Sequence, residues 1–228
     1  MGVLAEETRR GSSSSVACLT PEHRVIINLI PEGSRVMDLG CGQGDLLLAL
    51  KVMKNVRAEG IELSDACIQA CVAKGLFNVH HGDLDEGLAD YPDKSIDYVI
   101  LTNTIQVLHR PMFLIREMAR VSKRCIVSFP NFAHWPVRWQ HFVQGRMPKT
   151  EKLPYEWYET LNIHLTTILD FRDFCRKAGL RVLQEIPLRS SGLGRCTVVR
   201  FLPNLRADSA IFVLEDGGTP QTDSGVAP

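Results

Sequence analysis

Apolar residues along the chain fall into short runs separated by polar turns, and the spacing within the runs alternates between helical and extended. Thr20 followed by Pro21 places an N-cap hydroxyl before a proline at the first helical position, which predicts a helix to about Ile30. Pro31-Glu32-Gly33 turns the chain into a short strand over 35–39. A helix over 44–53 follows, with a nearly unbroken apolar run from Leu46 to Leu50. The pattern then predicts a strand over 57–62, a helix opened by Ser64 and stopped by Gly75, and a strand over 77–80. Ile96 to Leu101 is a further strand, and its Tyr98-Val99-Ile100-Leu101 run suits burial on both faces. Pro111 opens a helix to about Val121, and Cys125 to Phe129 forms a fifth strand.

Strands alternating with helices predict an α/β fold, a doubly wound, mostly parallel sheet with helices on both faces. The alternation stops at about residue 131. The stretch 131–168 holds all three tryptophans (Trp135, Trp139, Trp157) and three histidines (His134, His141, His164), and is too long for an ordinary connection. A helix over 167–178, stopped by Gly179, then leads to a strand over 181–188. Ala210 to Leu214 makes a final strand beside it, expected to run antiparallel.

Composition narrows the function classes. Twenty-six basic residues balance 26 acidic ones in 228, so the chain lacks the charge of a nucleic-acid binder or an anionic-membrane binder. No apolar run approaches the roughly 18 residues of a membrane span, and the serine-rich start has no secretory apolar core. Seven cysteines (18, 41, 67, 71, 125, 175, 196) show neither a CxxC pair nor zinc spacing, which predicts buried thiols, no metal and a cytoplasmic setting. Residues 1–18 and 216–228 read as flexible tails around one domain over 19–215.

The first strand ends in Asp38-Leu39-Gly40-Cys41-Gly42-Gln43-Gly44-Asp45 and runs directly into a helix. Three glycines at alternate positions let the backbone turn tightly and approach a ligand without Cβ atoms in the way. A dinucleotide fingerprint would place its third small residue three positions after the second glycine, where Asp45 stands, so a nicotinamide oxidoreductase is disfavoured. Asp-x-Gly-x-Gly-x-Gly is the pattern for S-adenosylmethionine (SAM), whose ammonium group replaces a pyrophosphate. Glu62 closes the next strand, placed to accept hydrogen bonds from both ribose hydroxyls. Gly82-Asp83-Leu84 follows the third strand, with Asp83 for the adenine amino group and Leu84 to pack on the ring. The expected contacts to SAM, or to its demethylated product S-adenosylhomocysteine, are therefore Asp38, Gly40, Gly42, Gly44, Glu62, Asp83 and Leu84, on a class I methyltransferase (Rossmann-like) fold.

Five segments then carry a resemblance. RVMDLGCGQG (35–44), HGDLDEGLAD (81–90), IDYVIL (96–101), SFPNFAHW (128–135) and LPYEWYETLNIHL (153–165) together resemble the MetW family over about residues 20–215. Leu161 stands where that family leads one to expect proline, and Gln43 where acidic residues are common. The resemblance implies a role in methionine biosynthesis together with the homoserine O-acyltransferase MetX. It does not by itself imply methyl transfer.

Catalysis is less legible. His109, His134, Tyr155 and His164 are the candidates for a general base, but no spacing dictates base chemistry. Thr102-Asn103-Thr104 stands where an amine methylase would carry Asn-Pro-Pro. Two readings follow, a SAM-binding accessory subunit of the acyltransferase and a working methyltransferase on a small carboxylate or hydroxyl acceptor. Arg138, Arg146 and Lys149 are the cations that could receive a carboxylate. Trp135, Trp139, Tyr155, Trp157 and Tyr158 either form a cap and docking surface over 131–168 or fill a second small core.

Overall fold

The computed structural model describes residues 19–150, 156–191 and 195–218. The expected tails at 1–18 and beyond 218, and Tyr155, lie outside the described residues. Helix α1 (Pro21–Leu29) precedes β1 (Arg35–Leu39), α2 (Asp45–Lys54), β2 (Arg57–Glu62), α3 (Asp65–Ala73) and β3 (Val79–His81). Strand β4 (Ile96–Thr102), α4 (Pro111–Val121), β5 (Ser122–Pro130) and α5 (Trp135–Gln144) follow. The chain closes with α6 (Ile168–Ala178), β6 (Leu180–Ser191), β7 (Arg195–Val198), α7 (Pro203–Arg206) and β8 (Ser209–Asp216).

The strands form one sheet in the order β3-β2-β1-β4-β5-β8-β6-β7. Strands β1 to β5 pair in parallel, and β8 inserts antiparallel between β5 and β6. The final strand thus pairs with its predecessor as expected, and also with β5. It continues to Asp216, the residue at which the C-terminal tail is expected to begin. The edge strand β7, a hairpin partner of β6, is not among the expected elements, because its polar-apolar alternation, Arg195-Cys196-Thr197-Val198, runs for only four residues.

Each face of the sheet carries its own core. Met37, Leu39, Val99, Leu101, Val127 and Phe129 pack against α4 and α6, where Phe129 and Phe171 rings lie 4.6 Å apart and Phe171 and Phe212 rings 4.8 Å apart. Val36, Ile100, Ile126 and Ile211 face Ile26, Ile27 and Ile30 of α1 and Leu46 and Leu50 of α2. The unbroken Leu run of α2 is explained by a third contact, since Leu47 turns away to join Cys41, Cys71 and Leu76 under α3.

Local capping agrees with the sequence. Thr20 Oγ1 accepts the His23 N–H at 3.1 Å, and Thr167 Oγ1 accepts the Asp170 N–H at 3.2 Å to start α6. Gly179 ends α6 in the left-handed region. The insert holds the helix that periodicity alone did not reveal, α5, although Pro136 near its start and left-handed Gly145 after its end are its punctuation.

The core and the insert respond differently to truncation. Phe171→Ala, at a ring 1 % exposed, is expected to cost about 3–5 kcal/mol of unfolding free energy in urea titration. Trp139→Ala, at a ring 60 % exposed, is expected to cost under about 1 kcal/mol by the same measurement.

Candidate functional site

Strand order reverses between β1 and β4, so the crevice at their carboxyl ends is where an open α/β sheet takes its ligand. The glycine loop sits there. Gly40, Gly42 and Gly44 all adopt positive φ, at 69°, 55° and 76°. A Cβ on Gly40 would lie 2.9 Å from Thr104 Oγ1, and one on Gly44 would lie 2.6 Å from Leu76 Cδ1. Those two glycines are required by the protein's own packing. Gly42 differs, because a Cβ there would meet nothing within 4 Å. Its Cα faces open space.

Glu62 holds this loop. One carboxylate oxygen accepts the Gly42 N–H at 2.7 Å, and the other accepts the N–H groups of Leu63 and Ser64 at 3.0 and 2.9 Å. Such charge-assisted bonds are about twice as strong as neutral ones. A carboxylate offers about four lone-pair sites, so these three bonds leave room for a further donor. On the outer side, Cys71 Sγ donates to Gly42 O at 3.3 Å, and Lys74 Nζ donates to Gln43 O and Asp45 Oδ1 at 2.8 and 2.5 Å. The Cys41 and Cys71 thiols have pKa values raised by burial, so they remain thiols and act as packing.

Asp38 points to the α1 face of the sheet, where the alternation of β1 would otherwise continue the apolar row begun by Val36. It is 3 % exposed, and its Oδ1 has no partner among the described residues. Burial, and secondarily the Glu62 charge, raise its pKa to about 8. Thr102 Oγ1 and Ser128 Oγ are buried on the same face and are equally without partners among the described residues. Buried polar atoms in this state are what a ligand or ordered water satisfies. Above them, Asn103 takes a left-handed backbone and its Nδ2 donates to Glu22 Oε2 at 3.0 Å, tying α1 to the loop after β4.

Asp83 is exposed and caps the turn Leu84–Glu86, accepting the Asp85 N–H at 2.9 Å. Leu84 is 8 % exposed and belongs mostly to the α4-side core, leaving little of its surface for a ring to stack upon. Asp85, which sequence reading passed over, accepts the N–H groups of His109 and Arg110 at 3.1 and 2.7 Å and so joins this turn to the start of α4. Nothing near residue 85 in the chain signals a partner 24 residues away.

The histidine candidates stand on three separate segments of the chain. The ring of His134, ahead of α5, has its pKa lowered by burial, and its Nε2 lacks a partner among the described residues. His109 is exposed beside Asp85, and His164 is exposed where its N–H meets Gln106 O at 3.0 Å. No group of three or more metal-ligating side chains occurs among the described residues, and no described helix is long and apolar enough to cross a membrane.

The family model for the methionine biosynthesis protein MetW matches residues 20–214. The chain belongs to the MetW family. The bifunctional methionine biosynthesis protein MetXA/MetW of Rhodopirellula baltica is 33 % identical over 203 residues, covering 85 % of this chain. This chain spans only 32 % of that relative's length. Among solved structures, a SAM-dependent methyltransferase of Thermotoga maritima, a possible histamine N-methyltransferase, superposes with a TM-score of 0.64 at 18 % identity, covering 86 % of this chain and 88 % of that one. A SAM-dependent methyltransferase of Archaeoglobus fulgidus gives 0.62 at 18 % identity, covering 92 % and 97 %. The MetW chain therefore has the class I methyltransferase fold.

The buried carboxyl makes stability depend on pH. Asp38 keeps its proton in the folded state up to about pH 8, whereas its unfolded reference is 3.8. Its contribution is fully present below pH 3.8 and is lost as pH rises through the window to about 8, because only the folded state holds the proton there. Relative to Asp38→Asn, the unmutated protein should lose up to about 1.4 kcal/mol of unfolding free energy per pH unit across that window. Parallel urea titrations at several pH values test this, and identical pH profiles would refute a protonated Asp38.

Proposed function

We propose that this MetW chain binds SAM, or S-adenosylhomocysteine, in the crevice at the carboxyl ends of β1 and β4 and acts with the homoserine acyltransferase MetX. The observation that carries the first part is the open face of Gly42 beside a pinned glutamate and a buried, unpartnered aspartate. Gly42 admits the ligand's amino-acid portion without a Cβ in the way. The remaining lone-pair site of Glu62 takes one ribose hydroxyl, and Asp83 takes the adenine amino group. Asp38 is ready to ionise beside the ligand's ammonium group, so binding below pH 8 releases a proton. When bound, SAM supplies an electrophilic methyl group on a sulfonium.

The accessory reading is favoured over methyl transfer. Acceptor activation needs a base within hydrogen-bonding reach of the acceptor, and the described histidines lie on separate segments of the chain. Support for the MetX partnership comes from the Rhodopirellula baltica relative, whose name joins MetXA and MetW in one bifunctional protein. The insert offers the surface. Trp135, Trp139, Phe142 and Val143 recur at helical spacing on α5 and are 47, 60, 85 and 56 % exposed. They do not fill a second small core, and exposed aromatics of this density are the residue type that anchors protein interfaces.

Two measurements test these assignments. Gly42→Asn keeps a residue that tolerates the left-handed region while placing a side chain on the open face. Calorimetric titration should show SAM affinity falling at least ten-fold with the melting temperature within a few degrees, and unchanged affinity would remove the site. For the partnership, Trp139→Ala combined with Phe142→Ala should abolish co-purification with the MetX of the same organism while leaving SAM affinity and melting temperature intact. Retained co-purification would exclude this face of α5.

A further inference from the structure

The other face of α5 borders a cavity that the SAM crevice does not use. It has a volume of about 280 Å³ and lies between α5 and the segment returning to α6. Its walls are apolar, formed chiefly by Phe132, Val137, Met147, Trp157 and Leu165. At this volume it sits just under the roughly 300–1,000 Å³ of sites for drug-sized ligands, which suits a metabolite of a few carbons.

Its polar groups have a sign. Arg138 donates through Nε to Ala133 O at 2.6 Å, which fixes the plane of the guanidinium. Among the described residues no carboxylate pairs with Arg138, so the remaining N–H groups of its fork are open to a planar oxyanion. Lys149 and Glu156 also line the cavity and pair with one another, which cancels their charges. Among the described residues the cavity therefore keeps one uncompensated, oriented guanidinium against an apolar wall. The wall is itself tied down, because Gln140 Nε2 donates to Lys149 O at 3.1 Å and Gln140 Oε1 accepts the Lys149 N–H at 3.0 Å. Thr160 and Asn162 complete the rim.

We propose that this cavity is a second ligand site, taking a small monocarboxylate with a short apolar tail, its carboxylate on Arg138 and its tail among Phe132, Val137, Trp157 and Leu165. The inference does not rest on SAM binding. An arginine fork recognises a carboxylate with two parallel hydrogen bonds, which an alcohol of equal length does not reproduce. The acid could be a plain alkanoate or an amino acid with an apolar side chain, and the two are separable.

The full chain is titrated with hexanoate, norleucine and 1-hexanol, with binding read by saturation-transfer NMR and by quenching of tryptophan fluorescence. Hexanoate binding without norleucine assigns an alkanoate site, and norleucine binding assigns an amino-acid site; either supports the proposal. Arg138→Gln should weaken that binding at least ten-fold with the melting temperature unchanged. Leu165→Trp, at a position 54 % exposed on the rim, should block it by filling the cavity, and decides the matter if the arginine variant is unstable. Gly42→Asn should bind the acid as the unmutated protein does, whatever its effect on SAM. Binding of neither acid, hexanol binding as tightly as hexanoate, full affinity in both cavity variants, or loss of acid binding in Gly42→Asn would each overturn the proposal.

Discussion

One carboxylate holds the geometry on which the crevice depends. Left-handed backbone at Gly40, Gly42 and Gly44 is available to glycine but is not imposed by it, and three such residues in five are a flexible segment unless something ties them. Glu62 does so by gathering N–H groups from two loops onto one charged group, Gly42 from the turn after β1 and Leu63 and Ser64 from the turn after β2. The parallel pairing of β1 with β2 brings the two turns side by side, with Leu39 opposite Ile61. Cys71 and Lys74 hold the same loop from behind. The result is a turn fixed on its outer side and bare on its inner side, which is what a site for an extended ligand requires.

A second constraint runs against stability. The α1 face of the sheet is a continuous apolar core until Asp38, Thr102 and Ser128 interrupt it near the carboxyl ends of three strands. Placing hydrogen-bonding atoms there without protein partners costs free energy that apolar residues would not. The shift of the Asp38 carboxyl towards neutrality is the expected response of a buried acid beside another acid. Local departures of this kind concentrate at functional positions. Helix α1 covers the interruption and is tied across it by the Glu22 to Asn103 bond, so the N-terminal helix is part of the site's construction.

The insert follows a different logic from the sheet. Its aromatic residues do not bury one another, and Trp157 and Tyr158 remain 71 and 66 % exposed although their rings touch edge to face. Helix α5 has two characters. One side carries the exposed aromatic stripe, and the other carries Val137, Arg138 and His141 at the cavity. The returning segment lies along the loop after β4, where the N–H groups of Ile163 and His164 both reach Gln106 O. An event at either side of α5 is thus connected through few contacts to the end of the sheet where the glycine loop stands. The chain that carries this arrangement is a member of the family of the methionine biosynthesis protein MetW and has the class I methyltransferase fold.

The sequence by itself determined the elements whose signals are local. Period-2 and period-3.6 runs located the parallel strands and their helices to within a few residues, and Thr20-Pro21, Thr167 and Gly179 marked helix ends because caps act on the nearest backbone N–H and C=O groups. The glycine loop was legible for the same reason, since a strand, a tight turn and a helix are contiguous in the chain. Tertiary structure decided everything that depends on distant partners. The open face of Gly42, against the filled ones of Gly40 and Gly44, is set by Thr104, Cys71 and Leu76, which the loop's own sequence does not mention. Glu62 stood in the sequence as a ribose ligand, and the fold shows it first as the anchor of the loop. Asp85, silent in the chain, bridges to Arg110 because the parallel strands β3 and β4 end on the same carboxyl side of the sheet. The aromatic insert could be read as core or surface from composition alone, because burial is a property of what packs against a side chain. The fold leaves the described ones, Trp135, Trp139, Trp157 and Tyr158, exposed.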